Sequence, residues 1–173
     1  MSTPEALRWY YRGRVIDVVA EQAHFPDGRS SELEIVRHPG GAAVVALNDR
    51  GKVCLLRQYR HVANEWLWEL PAGRRDGAEE PLITAQRELA EETGITAQTW
   101  QPLGHLVSSP GVFTEVVHLF CARDLTENMP MREDEEYIEV HWVSLDEALA
   151  WASSGQIYDA KTIIGLFRAS TLS

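Results

Sequence analysis

The chain has 173 residues, enough for one domain with a sizeable core and too few for several. Its composition, 45% hydrophobic and 24% charged, is ordinary for a globular protein, and its longest uncharged apolar run, Gly40 to Leu47, is far shorter than the roughly 18 residues a membrane span needs. A net charge of -10 argues against a long nucleic-acid partner, because that affinity comes from cations that release counterions from the phosphate backbone.

The N-terminal stretch MSTPEALRWYYRGRV has no apolar core of a secretory signal, and the expectation is a protein that stays in the cytoplasm. Residues 14–36 hold two strand-like runs, RVIDVVAEQAHF and SELEIVRH, joined by the turn signal Pro26-Asp27-Gly28, and predict an antiparallel hairpin or small sheet. GGAAVVALND and KVCLLRQYR flank the turn NDRG and predict a second hairpin with one largely buried strand. EWLWELPAG is a short aromatic strand stopped by Pro71 and Gly73. From Pro81 to Thr93 the apolar spacing turns helical, with Gly94 as its C-terminal stop.

WQPLGHLVSS, EVVHLFCARDL and EYIEVHWVSL then give three strands, separated by PGVFTE and the acidic stretch MREDEE. Ser144 and Glu147 have the spacing of a capping box for a helix ending near Gly155, and a last helix covers Asp159 to Arg168. Strands before, between and after helices predict a mixed sheet covered on both faces, an α/β sandwich. Cys54 and Cys121 both sit in apolar strand-like runs and read as two buried reduced thiols, not as a disulfide.

The segment GRRDGAEEPLITAQRELAEETGI, residues 73–95, crowds acidic residues onto one helix. Spacings of three and four put Glu88, Glu91 and Glu92 on one strip, beside a second strip of Leu82, Ala85 and Leu89 that would pack on a sheet. Like charges at these spacings repel, and Arg87 is the one local offset. A hard divalent cation answers this arrangement, since magnesium takes carboxylate and carbonyl oxygens while keeping water and substrate phosphates. Gly73, free to take unusual backbone angles, could turn the Ala72 carbonyl toward the same ion. A solvated acidic helix fits the periodicity equally well.

The longer spacing separates these readings. Gly73, Glu79 and RELAEETGI fill every fixed position of G-x5-E-x7-R-E-U-x-E-E-x-G-U, where U is aliphatic; the chance of this is on the order of one in a billion per starting position. The segment resembles the Nudix hydrolase box. The resemblance implies an α/β/α sandwich, with a mixed sheet, that hydrolyses a nucleoside diphosphate linked to another group. It further implies Glu88 and Glu92 as metal ligands, Glu91 as a ligand or close neighbour, and Arg87 paired with Glu79 or the carboxylate strip.

Beyond the box, LLRQYRHVANEWLWELPAG and Pro110, 15 residues after Ile95, resemble the branch that cleaves ADP-ribose and other nucleoside diphosphate sugars. The branch implies an N-terminal β segment (1–38) that forms a homodimer, a catalytic domain (39–173), and products AMP and ribose 5-phosphate. GDP-mannose is the alternative substrate, and a non-catalytic sensor of nucleotide sugars is a third reading. SPGVFTE departs from the branch pattern in the place of its aromatic residue and in Thr114, though Glu115 keeps the position of the glutamate.

A pyrophosphate under attack by water needs cations on its non-bridging oxygens and a means to activate the water. Magnesium, with manganese as substitute, supplies one part. Arg60 is the candidate phosphate clamp because its planar fork grips two oxygens at once, and Arg57 is the reserve. Glu69 and Glu115 stand beside them as substrate-binding candidates. The branch places a base on a loop after the box, where Glu136 aligns best and Glu133 and Glu135 are rivals; with it Glu91, Glu92 and Arg87 make the candidate catalytic group. Trp66 or Trp68 could stack on a base, although alternation with Leu67 puts at least one in the core. His61, His105, His118 and His141 lack metal-ligand spacing and read as structural.

Overall fold

The computed structural model describes residues 7–128 and 137–172. They form two compact units, one of residues 7–40 with 107–116 and one of residues 41–106 with 117–128 and 137–172.

In the first unit β1 (Arg8–Arg12), β2 (Asp17–His24) and β3 (Ser30–Arg37) make an antiparallel sheet in that order. The turn between β2 and β3 closes where expected, with Gly28 at φ 83° donating its N–H to the Phe25 carbonyl. β1 was not foreseen. The segment Ser108–Glu115 runs beside the end of β3: Val36 N–H donates to the Val112 carbonyl and Thr114 N–H to that of Val36.

The second unit has two sheets. One has the order β7 (Ala72–Arg74), β4 (Gly41–Ala46), β9 (Val116–Glu127), β8 (Ile95–Val107), and is mixed, because β4 runs antiparallel to β7 and parallel to β9. The other is antiparallel, with β5 (Lys52–Arg60) between β10 (Ile138–Ser144) and β6 (Glu65–Glu69). Helices α1 (Pro81–Thr93), α2 (Leu145–Ser154) and α3 (Ala160–Ala169) complete it.

All six residues of β4 are buried, and strand alternation sends them to two cores. Ala43 and Val45 pack with Ala148 of α2 and Leu166 of α3, whereas Ala42, Val44 and Ala46 pack with Ala85 and Leu89 of α1. The result is the expected α/β/α sandwich. α3 comes close because residue 165 is glycine: a β-carbon there would stand 2.6 Å from Leu70 Cδ1. Cys54 belongs to the α1 core and Cys121 to the other, so both thiols are buried and unlinked.

The expected second hairpin is corrected. β4 and β5 lie in different sheets and meet at a single bridge, Leu47 with Val53. Both strands are apolar on two faces, and a continuous apolar run carries no periodicity from which its partners can be read. The hairpin partner of β5 is β6.

Candidate active site

Helix α1 starts with Pro81, whose missing N–H is no loss in the first turn, and ends where Gly94, at φ 74°, donates to the Ala90 carbonyl. Ala85 and Leu89 dock it on β4. That docking presents the acidic flank to the short strand β7, which lies on the other side of β4 from β9.

Arg87 is the hub of this flank. Its Nε and Nη2 donate to the two oxygens of Glu79 at 3.3 and 3.1 Å, its Nη1 to Glu88 at 2.8 Å and Glu91 at 3.0 Å, and its Nη2 also to the Arg74 carbonyl at 2.9 Å. One guanidinium therefore ties the loop to the helix and offsets three carboxylates. Thr84 adds a 2.8 Å hydrogen bond to Glu79, and Arg87 with Thr84 holds that carboxyl down at about 2. The same carboxylates push the Arg87 guanidinium upward.

Glu92 is buried and accepts the Ala72 N–H at 2.9 Å. Just before β7 the Pro71 carbonyl is taken by Val44 N–H, so the next residue turns its backbone groups away from β4. N–H and C=O of one strand residue face the same edge, and the Ala72 carbonyl accordingly faces the side of Glu92. Gly73 does not use the unusual backbone angle expected of it; its φ is not positive. It is needed because a β-carbon there would overlap the Glu88 carboxylate.

Three carboxylates and a strand carbonyl form the hard oxygen donor set that magnesium and manganese prefer, so the residues present fit a divalent cation. Among the described residues no three acidic or imidazole groups already converge as a metal cage. Glu88 and Glu91 turn to Arg87, and Glu92 to the Ala72 N–H. A cation bound here would supply charge neutralisation at phosphate oxygens and acidify water.

Arg60 ends β5 and grips Glu69 at the end of β6 in two places, Nε at 2.6 Å and Nη2 at 2.8 Å. Burial pushes the Glu69 carboxyl up, but Arg60 and Lys161, the latter at 2.5 Å, overcome it and hold it at about 2. The Glu69 bond raises the Arg60 guanidinium, with Glu92 of α1 and Asp159 adding to the effect. Lys161, Asp159 and Thr162 were not singled out from sequence. A lone lysine near a helix start has no pattern, and Asp159, expected inside the last helix, instead caps it, accepting the Thr162 N–H.

Arg57 lies apart from Glu69, near the rings of Trp66 and Trp68, both at 5.9 Å. Trp66 is exposed, while Trp68 packs on Trp151 and His141. Glu115 belongs to the other unit, where it faces His38 at 3.5 Å. Glu133, Glu135 and Glu136 lie outside the described residues. The rings of His105 and His118 lie 5.8 Å apart, tilted by 48°, and burial pushes the His118 imidazole down.

Residues 37–162 match the NUDIX domain family. The ADP-ribose pyrophosphatase of Bacillus subtilis is 42% identical over 154 residues, covering 88% of this chain and 83% of that protein. The methanol dehydrogenase activator of Bacillus methanolicus is 37% identical, covering 90% and 85%. The GDP-mannose pyrophosphatase of Cronobacter sakazakii is 34% identical, covering 76% and 77%. The box, the sandwich and these similarities agree: the chain belongs to the Nudix hydrolases, enzymes that act with a divalent cation. Among the described residues no helix is long and apolar enough to cross a membrane.

Proposed function

We propose that this Nudix hydrolase splits ADP-ribose into AMP and ribose 5-phosphate with magnesium, for which manganese can substitute. The observation that carries the reading is the acidic flank of α1 set against β7, where Glu92 meets the Ala72 backbone and Glu88 fills the space above Gly73. Glu88, Glu91, Glu92 and the Ala72 carbonyl hold the cation; in its absence Arg87 holds Glu88 and Glu91, and the Ala72 N–H holds Glu92. Arg60 turns toward the diphosphate, with Arg57 as its reserve, and Glu69 fixes the Arg60 fork from behind. Glu136 serves as the base, with Glu133 and Glu135 as its rivals. Glu115 is a further substrate-binding candidate.

The catalytic domain is assigned to residues 39–173 and dimerisation to residues 1–38, in a cytoplasmic homodimer. Trp9, Tyr10 and Tyr11 on β1 are exposed, with the guanidinium groups of Arg12 and Arg8 over the first two rings, and support this assignment, since exposed aromatic and arginine side chains are suited to a partner surface. The similarity to a GDP-mannose pyrophosphatase favours GDP-mannose as the second reading. A pure sensor has less support, because every fixed position of the box is filled.

The test is turnover with magnesium on ADP-ribose, GDP-mannose, UDP-glucose, NADH and a diadenosine polyphosphate, read by phosphatase-coupled release of phosphate. The expected result is a kcat/KM for ADP-ribose at least about tenfold above the others. Preference for GDP-mannose would replace the substrate, and no turnover with either metal would remove the catalytic reading on this panel.

A further inference from the structure

Lys161 occupies the first turn of α3, where the helix dipole disfavours a cation. It is nevertheless well buried, with 18% of its side chain exposed, and its Nζ reaches Glu69 at 2.5 Å and Asp159 at 3.0 Å. The penalty at the helix start is offset by these two carboxylates. Asp159 is itself fixed by the N–H and hydroxyl of Thr162, and the Thr162 oxygen accepts the Leu70 N–H at 2.8 Å. The start of α3 is thus fastened to the chain immediately after Glu69.

Arg60, Lys161, Glu69 and Asp159 together carry no net charge. Remove Lys161 and one negative charge remains, beside an arginine that is already committed to Glu69 through Nε and Nη2. A guanidinium bound along that edge keeps its Nη1 donors for another oxygen, so Arg60 can hold Glu69 and a phosphate at the same time. Its attraction for phosphate depends on whether its charge is matched by Glu69 alone or Glu69 is shared with a second cation.

We propose that Lys161 is a positioning residue for the reaction: by offsetting Glu69 and Asp159 it leaves the positive charge of Arg60 available to the diphosphate of the substrate. This inference rests on the reading of Arg60 as the phosphate clamp. Lys161 acts through Glu69 and needs no contact with substrate. It follows that its loss is repaired by removing a neighbouring negative charge, which would not hold for a lysine that touches phosphate directly.

The experiment compares wild type with Lys161→Met, Lys161→Met/Glu69→Gln, Lys161→Met/Asp159→Asn, Glu69→Gln and Arg60→Ala. It reads KM and kcat for ADP-ribose, and the Kd of its non-hydrolysable α,β-methylene analogue by calorimetry. Asparagine keeps the helix cap at 159. Lys161→Met is expected to raise KM and Kd about tenfold with kcat changed less than about threefold, Lys161→Met/Asp159→Asn to recover most of the loss, and Lys161→Met/Glu69→Gln, which also frees the Arg60 fork, to recover less of it. If the single variant does not fold, Lys161→Met/Asp159→Asn, which has the net charge of the wild-type group, is compared with wild type, and Kd values within about threefold of each other are expected.

An increase that neither double variant repairs would overturn the inference and make Lys161 a direct ligand. An unchanged Lys161→Met alongside a weakened Arg60→Ala would also overturn it while leaving the clamp reading intact. An unchanged Arg60→Ala would remove the clamp reading and the inference with it.

Discussion

The carboxylate of Glu88 lies where a β-carbon at residue 73 would stand, so the glycine of the loop and the glutamate of the helix share one space. Gly73→Ala would first meet the far end of a flexible side chain, not backbone. The helix stays docked and the carboxylate moves. Magnesium-supported turnover is expected to fall about a hundredfold while the melting temperature shifts by less than about 3 °C, as measured by initial rates and thermal unfolding. Full activity in this variant would remove Glu88 from the cation site.

Arg87 bonds three carboxylates and one carbonyl from a single plane. Lysine keeps the charge but has neither the fork nor the reach to hold the loop and helix together. Arg87→Lys is therefore expected to lower unfolding free energy by about 2 kcal/mol, seen as a lower urea midpoint at an unchanged slope. Loss of turnover without loss of stability would contradict this bracing role.

The same residues show how far a single sequence reaches. The box was legible because its spacing is long and every position is filled, and α1 because Pro81 and Gly94 mark its ends. The role of Gly73 was misplaced, since backbone freedom and absence of a side chain look alike in a sequence. The partners of β4 were illegible because all six of its residues are apolar and buried, leaving no face to tell from the other. Lys161 escaped notice because its partner Glu69 is 92 residues away in the chain.

Glu69 has the clearest pH signature. Its carboxyl is held at about 2 against an ordinary value of 4.5, so the folded state keeps it ionised where the unfolded chain begins to take up a proton. The stabilisation is complete above about pH 5 and is lost as pH falls from 4.5 toward 2. Its size is on the order of 3 kcal/mol. Unfolding free energies measured from pH 6 to pH 3 should decline more steeply for wild type than for Glu69→Gln. Parallel curves would contradict the assignment.

Cys54 and Cys121 sit in separate cores on opposite faces of the β4 sheet, and burial pushes the Cys121 thiol up. Neither is expected to react with a water-soluble disulfide reagent in the native protein at pH 8, and two thiols per chain should titrate in denaturant. Rapid native labelling, or fewer than two thiols after unfolding, would contradict the packing.

The most direct measurement for the account as a whole is AMP release from ADP-ribose with magnesium by wild type and by Glu92→Gln. Glu92 is buried against the Ala72 N–H, where glutamine can still accept that hydrogen bond but brings no charge to a cation. Turnover by wild type with a loss of at least about a thousandfold in a folded variant is the predicted result. A variant within about tenfold of wild type, or a wild-type protein inert on ADP-ribose, would contradict it.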